Sequence, residues 1–145
     1  DAGKIVQVGS PAELFDRPKT TFVGYFIGAP AMNFFNCQAV GGYKLSIGSA
    51  EIMTGTDLSK VGSAPLKLGI RSEYIRIVET KGANTFTAQV QRVEDLGNYK
   101  LMTAVFDGYV IKVKVERDIT VPAERVELRL PAENCCVYAA DVLVS

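Results

Sequence analysis

The side chains able to do chemistry in this chain of 145 residues are few and widely spaced. Asp16, Glu73, Glu94 and Asp95 are carboxylates in expected turns or at strand ends; a pair of them at the right separation would do acid–base work, and without such partners they are solvated surface groups. Histidine is absent, which removes the usual acid–base triads and most zinc sites. Cys37, Cys135 and Cys136 lack metal-site spacing, and the adjacent pair would point to opposite faces of a strand, so buried, reduced thiols are expected. The one Gly-Lys pair, Gly3-Lys4, sits too near the start to close a phosphate loop. Ser46 to Glu51, "SIGSAE", offers the amides and hydroxyls of an oxyanion cradle. Tyr99, Lys100, Tyr109, Lys112 and Lys114 interleave aromatic and basic residues as on a sheet that binds single-stranded nucleic acid. Against that option, sixteen basic residues balance sixteen acidic ones, with no basic run. No catalytic constellation emerges. What remains are candidates for a protein contact: Arg71 with Glu73, and Glu94 with Leu96-Gly97-Asn98. Arg71 and Glu73 can also pair simply to fix a turn, and Gly97 or Asn98 can supply positive φ at a strand break.

The elements that would position these residues change character near residue 30. Lys4–Val8 reads as a short strand. Ser10-Pro11-Ala12-Glu13 has the form of a capping box with proline at the first helical position, predicting a helix from Pro11 to about Asp16. Pro18 is expected to open a second helix, with Phe22 and Phe26, and Val23 and Ile27, four apart on adjoining ridges, ended by Gly28 and Pro30. Met32 and Asn33 fall at the junction, where Asn33 would cap or turn the linker. Beyond it the pattern is of strands: 34–40 and 43–47 about Gly41-Gly42, then 66–70, 75–78, 85–93, 99–106 and 109–115 about Asp107-Gly108, 126–130 and 135–138, with a polar loop at 54–64. That spacing, in a chain 48% apolar, predicts a mainly β, OB-fold-like small barrel or sandwich preceded by a short strand and two short helices. No apolar run approaches 18 residues and no export signal opens the chain, so a cytoplasmic location is expected.

Three blocks carry a family resemblance. "DAGKIVQVGSPAELFDRP" followed by "FVGYFIGAPAMNFF" resembles the end of the nucleotide-binding domain in ATPase subunits of ATP-binding cassette importers for sugars and glycerol phosphates, the group that includes the maltose importer ATPase. "LGIRSEYIRI", residues 68–77, resembles the family's Gly-Ile-Arg-Pro-Glu-His block, with Ser72 and Tyr74 standing for Pro and His. "VEDLGNYKLM", residues 93–102, resembles its Val-Glu-x-Leu-Gly block.

The resemblance implies that residues 1–30 are the tail of the ATPase domain and 31–145 the accessory domain called the transport-associated OB (TOBE) fold. The Walker A loop, signature loop, Walker B carboxylate and switch histidine lie upstream in the family. The fragment is therefore expected to be no enzyme and to hold no cofactor, ATP and Mg belonging to the full-length subunit. Expected partners are a second copy, the membrane permease through the ATPase domain and, in some relatives, a regulatory protein, with the whole peripheral to the inner membrane. Such a barrel would keep two ATPase domains at high local concentration. Leu14, Phe15, Phe22, Val23, Phe26 and Ile27 would form an apolar surface that packs on the missing core; without it, that surface is expected to fold onto the barrel, exchange with a second copy or lose order. The alternative is a free-standing OB module for a small oxyanion or a nucleic acid.

Overall fold

The computed structural model describes residues 15–28 and 30–144. Leu14, the strand expected at Lys4–Val8, the capping box and most of the first helix lie outside the described residues. The second helix is shorter than expected. Thr20, in extended backbone, accepts the Val23 amide on its Oγ1 at 3.3 Å, so the cap falls two residues after Pro18 and α1 runs only from Thr21 to Phe26.

Asp107 and Gly108, both left-handed at φ 47° and 82°, turn the chain between β7 (Tyr99–Phe106) and β8 (Tyr109–Glu116), the geometry a two-residue hairpin requires. The glycine hairpin forms one residue later than predicted. An irregularity between Ala39 and Gly41 lengthens β1 (Asn33–Gly41), which pairs Gly41 with Lys44 and leaves Gly42, φ 59°, and Tyr43 as the turn into β2 (Lys44–Ile47). β3 (Ala50–Met53), β4 (Leu66–Ile70), β5 (Arg76–Val78), β6 (Thr85–Asp95), β9 (Arg125–Arg129), β10 (Cys136–Ala139) and β11 (Val142–Leu143) complete the set. β3 and β11 are not among the expected strands; β11 has only two residues, and β3 alternates buried Ala50 and Ile52 with exposed Glu51 and Met53.

The strands make two antiparallel sheets, ordered β11-β10-β4-β1-β2-β3 and β5-β9-β6-β7-β8. The same unit is built twice. Asn33-x-Phe35 and Asn84-x-Phe86 open the two units; Gly-Gly-Tyr-Lys-Leu (41–45) and Gly-Asn-Tyr-Lys-Leu (97–101) start their second strands; the alternating Leu66, Leu68, Ile70 and Val126, Leu128, Leu130 form their fourth. The fifth strands are exchanged. β5 leaves the first unit to pair with β9, and β10 leaves the second to pair with β4, in matching register: Arg76 opposite Arg129, Cys136 opposite Gly69. Each curled, OB-like sheet thus owes one strand to the other half, and both share one core through Phe35, Ile52, Leu68, Met102, Ile111 and Leu128.

Two asparagines sew the halves together. Asn33 Nδ2 donates to the Lys112 carbonyl at 2.8 Å and its Oδ1 accepts the Lys112 amide at 2.9 Å; Asn84 does the same to Met53, 2.8 Å each way, and also donates to the Leu130 carbonyl at 2.8 Å. A carboxamide has the donor and acceptor of a peptide group, so each side chain satisfies the outer edge of the other unit's third strand, where an unpaired edge would otherwise lie open. Asn33 is therefore a stitch between sheets and does not cap a linker.

The outer faces differ. On the first sheet, Phe34 and Tyr138 stack edge to face with centroids 5.5 Å apart over Gly69, where a Cβ would come within 2.9 Å of both rings. α1 covers them by pressing Gly24 against Phe34, a Cβ there falling 2.5 Å from the ring. On the second sheet the matching positions are Thr85, Val78 and Arg129, and no helix covers them among the described residues.

Candidate functional site

The strongest cluster of polar side chains lies where residues 15–21 meet the first sheet. β4 ends at Ile70, and the chain turns as the Tyr74 amide donates to the Arg71 carbonyl at 3.0 Å. That turn buries Arg71 completely. Its Nε donates to the Phe15 carbonyl at 2.8 Å and its guanidinium carbon stands 4.2 Å from the centre of the Phe15 ring. Gly28, at φ 95°, brings its backbone so close that a Cβ would lie 2.9 Å from Arg71 Nη1. Nη1, Nη2 and the neighbouring Ser72 Oγ have no hydrogen-bond partner among the described residues. Burial lowers the Arg71 pKa, and the Glu73 charge opposes that shift from beyond ion-pair distance. The expected Arg71–Glu73 pair does not close, because the buried guanidinium faces Phe15.

Around Arg71 the clasp continues. Tyr74 O–H donates to Asp16 Oδ1 at 2.6 Å, and this bond, ahead of burial, pushes the phenol up to about 12. Cys136 Sγ donates to the Asp16 carbonyl at 3.5 Å, and Tyr138 O–H to the Pro18 carbonyl at 2.6 Å; burial raises both of these groups. Thr21 gives its amide to the Asp141 carbonyl and its hydroxyl to the Asp141 carboxylate, both at 3.1 Å. Met32, buried with Cys136 and Tyr138, donates its amide to the Gly24 carbonyl at 3.3 Å. Of the apolar residues expected to have lost their partner, Val23 is buried against the sheet, Phe15 stacks on Arg71, and Phe22 (63%), Phe26 (72%) and Ile27 (43%) remain exposed.

The other candidates lie elsewhere. Glu94 pairs with Arg92 at 3.3 Å on β6, while Leu96 and Gly97, φ 97°, form the β6–β7 turn, with the Gly97 amide held by Asp95 at 2.9 Å. Asn98 and Glu73 come together as walls of a groove of about 310 Å³ shared with Tyr99 and Lys114. Arg71 does not line it. The nucleic-acid pattern is spent internally: Lys114 lies 4.6 Å over the Tyr99 ring, Lys112 donates to Thr103 at 2.8 Å, Lys100 to the Ile119 carbonyl at 2.9 Å, and Tyr109 to the Asn36 carbonyl at 2.7 Å. Burial pushes the Cys37 and Cys135 thiols up to about 12, which favours their protonated form.

The stretch expected as an oxyanion cradle is engaged from within the chain. Ser49 in the Ser46–Glu51 stretch donates both its amide and its hydroxyl, at 2.7 Å each, to Asp107 Oδ2. Those two bonds hold the Asp107 carboxyl below its ordinary range. A depressed carboxylate contributes stability above its unfolded value, about 3.9, and loses that contribution as pH falls through the lower folded value. Asp107→Asn should therefore lower the urea midpoint at pH 6, with the difference closing at pH 3; a pH-independent difference would contradict this role.

Comparison with known proteins bears on nearly the whole chain. Residues 68–137 match the TOBE domain model. The chain is 31% identical over 147 residues to the sn-glycerol-3-phosphate import ATP-binding protein UgpC of Chromobacterium violaceum, covering 96% of this chain and 38% of that protein. It is 30% identical to UgpC 1 of Rhizobium johnstonii, covering 97% and 39%. The chain thus spans under half the length of these relatives. Among solved structures, the cytoplasmic molybdate-binding protein ModG superposes with a TM-score of 0.56 at 13% identity, covering 79% of this chain and 99% of that one, a likeness of fold.

Proposed function

We propose, from the premise that this chain carries a TOBE domain at residues 68–137, that it is the C-terminal accessory part of the ATP-binding subunit of an ATP-binding cassette importer. The observation that carries this reading is the alignment of nearly the whole chain, including the segment before the barrel, with the C. violaceum and R. johnstonii import proteins. In this reading residues 1–30 close the ATP-binding domain and 31–145 form the accessory domain. The clasp of Arg71, Tyr74, Cys136 and Tyr138 on residues 15–18 fixes the barrel's orientation to the ATPase, while Phe22, Phe26 and Ile27 face that domain. The sequence has no phosphate loop, so ATP, Mg and hydrolysis belong to the preceding part. The accessory domain holds two subunits together and offers Glu73 and Asn98, with the turn at Leu96 and Gly97, to a regulatory protein. The solute is a sugar or glycerol phosphate, taken through a permease at the cytoplasmic face of the inner membrane. The oxyanion-module alternative has only a likeness of fold behind it, and Ser49 is engaged by Asp107.

The decisive experiment is a chimera in which this chain replaces the matching part of the C. violaceum subunit. It should fold, dimerise by light scattering and restore glycerol 3-phosphate uptake to cells lacking the native subunit. A folded, monomeric chimera without uptake would sink the reading.

A further inference from the structure

The exchanged strands of the two halves have unequal surroundings. The outer edge of β10 is filled: β11 pairs with it at Tyr138 and Leu143 and at Ala139 and Val142, the Val144 amide donates to the Val137 carbonyl at 2.8 Å, and Thr20 bridges Val142 in turn. β5 is the equivalent of β10, with Ile77 in the place of Val137. After β5 the chain turns away through residues 79–84, and no strand among the described residues pairs with its outer edge. Beside that edge runs a groove of about 260 Å³ lined by the apolar Ile75, Ile77, Val113 and Val115, with the carboxylates Glu73 and Glu116 among its other walls. Its far side is closed to pairing, since β8 has given its Lys114 amide to the Ser72 carbonyl and both peptide groups of Lys112 to Asn33.

Charge states what kind of strand fits. Arg76 and Arg129 are direct cross-strand neighbours on the outer face, and neither has an ion pair among the described residues. Glu127, on the same face two positions from Arg129, accepts the Thr87 hydroxyl at 2.6 Å and makes no ion pair with either arginine, so an acid on a third strand would offset their like charge. A strand laid along β5 would put the residue across from Ile77 into the groove and the adjacent residue beside Arg76.

We propose that the outer edge of β5 is a strand-addition site for an extended segment of another protein that carries a branched apolar residue next to an aspartate or glutamate, seated as β11 is seated on β10. The main chain of the segment supplies hydrogen bonds to Ile77, the apolar side chain enters beside Ile77 and Val115, and the acid neutralises Arg76.

The test uses the whole chain and three fluorescent, end-capped decapeptides: one alternating valine and aspartate, one alternating valine and lysine, and the first with alternate amides N-methylated on the bonding edge. The valine–aspartate peptide should bind saturably, with backbone NMR shifts confined to residues 73–78 and 113–119, and N-methylation should abolish binding. Arg76→Glu changes an exposed side chain; it should weaken that peptide about fivefold and make the valine–lysine peptide the better ligand. Absence of saturable binding, shifts elsewhere, or a folded Arg76→Glu protein with unchanged preference would overturn the proposal, as would self-association of the chain through β5 at the concentrations used.

Discussion

Asn84→Ala is expected to destabilise the domain by about 3–4 kcal/mol, the largest effect of any single polar substitution in it. The change deletes three hydrogen bonds, two of them to the peptide groups of the half-exposed Met53, and strands the buried Leu130 carbonyl. Each lost bond contributes about 1 kcal/mol and each orphaned buried group costs about 1–3. Asn84 is also left-handed, φ 61°, a conformation that asparagine tolerates better than alanine. Asn84→Gly separates the two effects, since it keeps the backbone freedom and loses only the carboxamide. Asn33→Ala, with two short bonds to Lys112 and ordinary backbone, should cost less, about 2–3 kcal/mol. Urea denaturation at constant m-value measures all three. Losses under 1 kcal/mol for both alanine variants would mean that the sheets hold together by their shared core alone.

The second large effect is expected on removing everything before Ala31. That truncation strips Val23 and Gly24 from the face formed by Phe34, Gly69 and Tyr138, takes the Phe15 carbonyl from Arg71, and frees the phenols of Tyr74 and Tyr138. Burial of one aliphatic side chain contributes about 1.5–3 kcal/mol and the three lost bonds about 1 each, so a loss of about 4–6 kcal/mol follows. The uncovered aromatic face should also drive concentration-dependent association. A shortened chain with the same melting temperature and a constant mass would show that the segment rests on the barrel without stabilising it.

Both effects concern residues whose roles were only partly legible in the sequence. Alternation and turn chemistry located most of the strands, because inward residues such as Leu66, Leu68 and Ile70 repeat every second position and Asp107-Gly108 admits few conformations. The internal duplication stayed hidden since the offset between equivalent positions drifts from 51 residues at Asn33 and Asn84 to 60 at Leu66 and Val126, while outward residues differ freely. Two signals mark it in retrospect, Gly-x-Tyr-Lys-Leu occurring twice and Asn-x-Phe occurring twice. The partner of Arg71 is not the one that sequence neighbourhood suggests. Local spacing favours Glu73, two residues on, whereas the partner is the Phe15 carbonyl, 56 positions away, a tertiary contact that no periodicity encodes. The same holds for Asp107, whose hairpin role was evident and whose grip on Ser49 was not.

Exchange of the fifth strands has a consequence for how this chain must fold and how it fails. Gly69 meets Cys136, and Arg76 meets Arg129, across more than fifty residues of intervening sequence, and neither half completes its sheet until the other has been made. Such contacts pay most of their loop-closure entropy before they are rewarded, so folding should be slow and all-or-none, without a stage at which one half stands alone. The duplicated units are interlocked and do not behave as beads on a string. A single cut in the backbone between Val78 and Thr85 would leave two pieces that remain clasped by each other's strand.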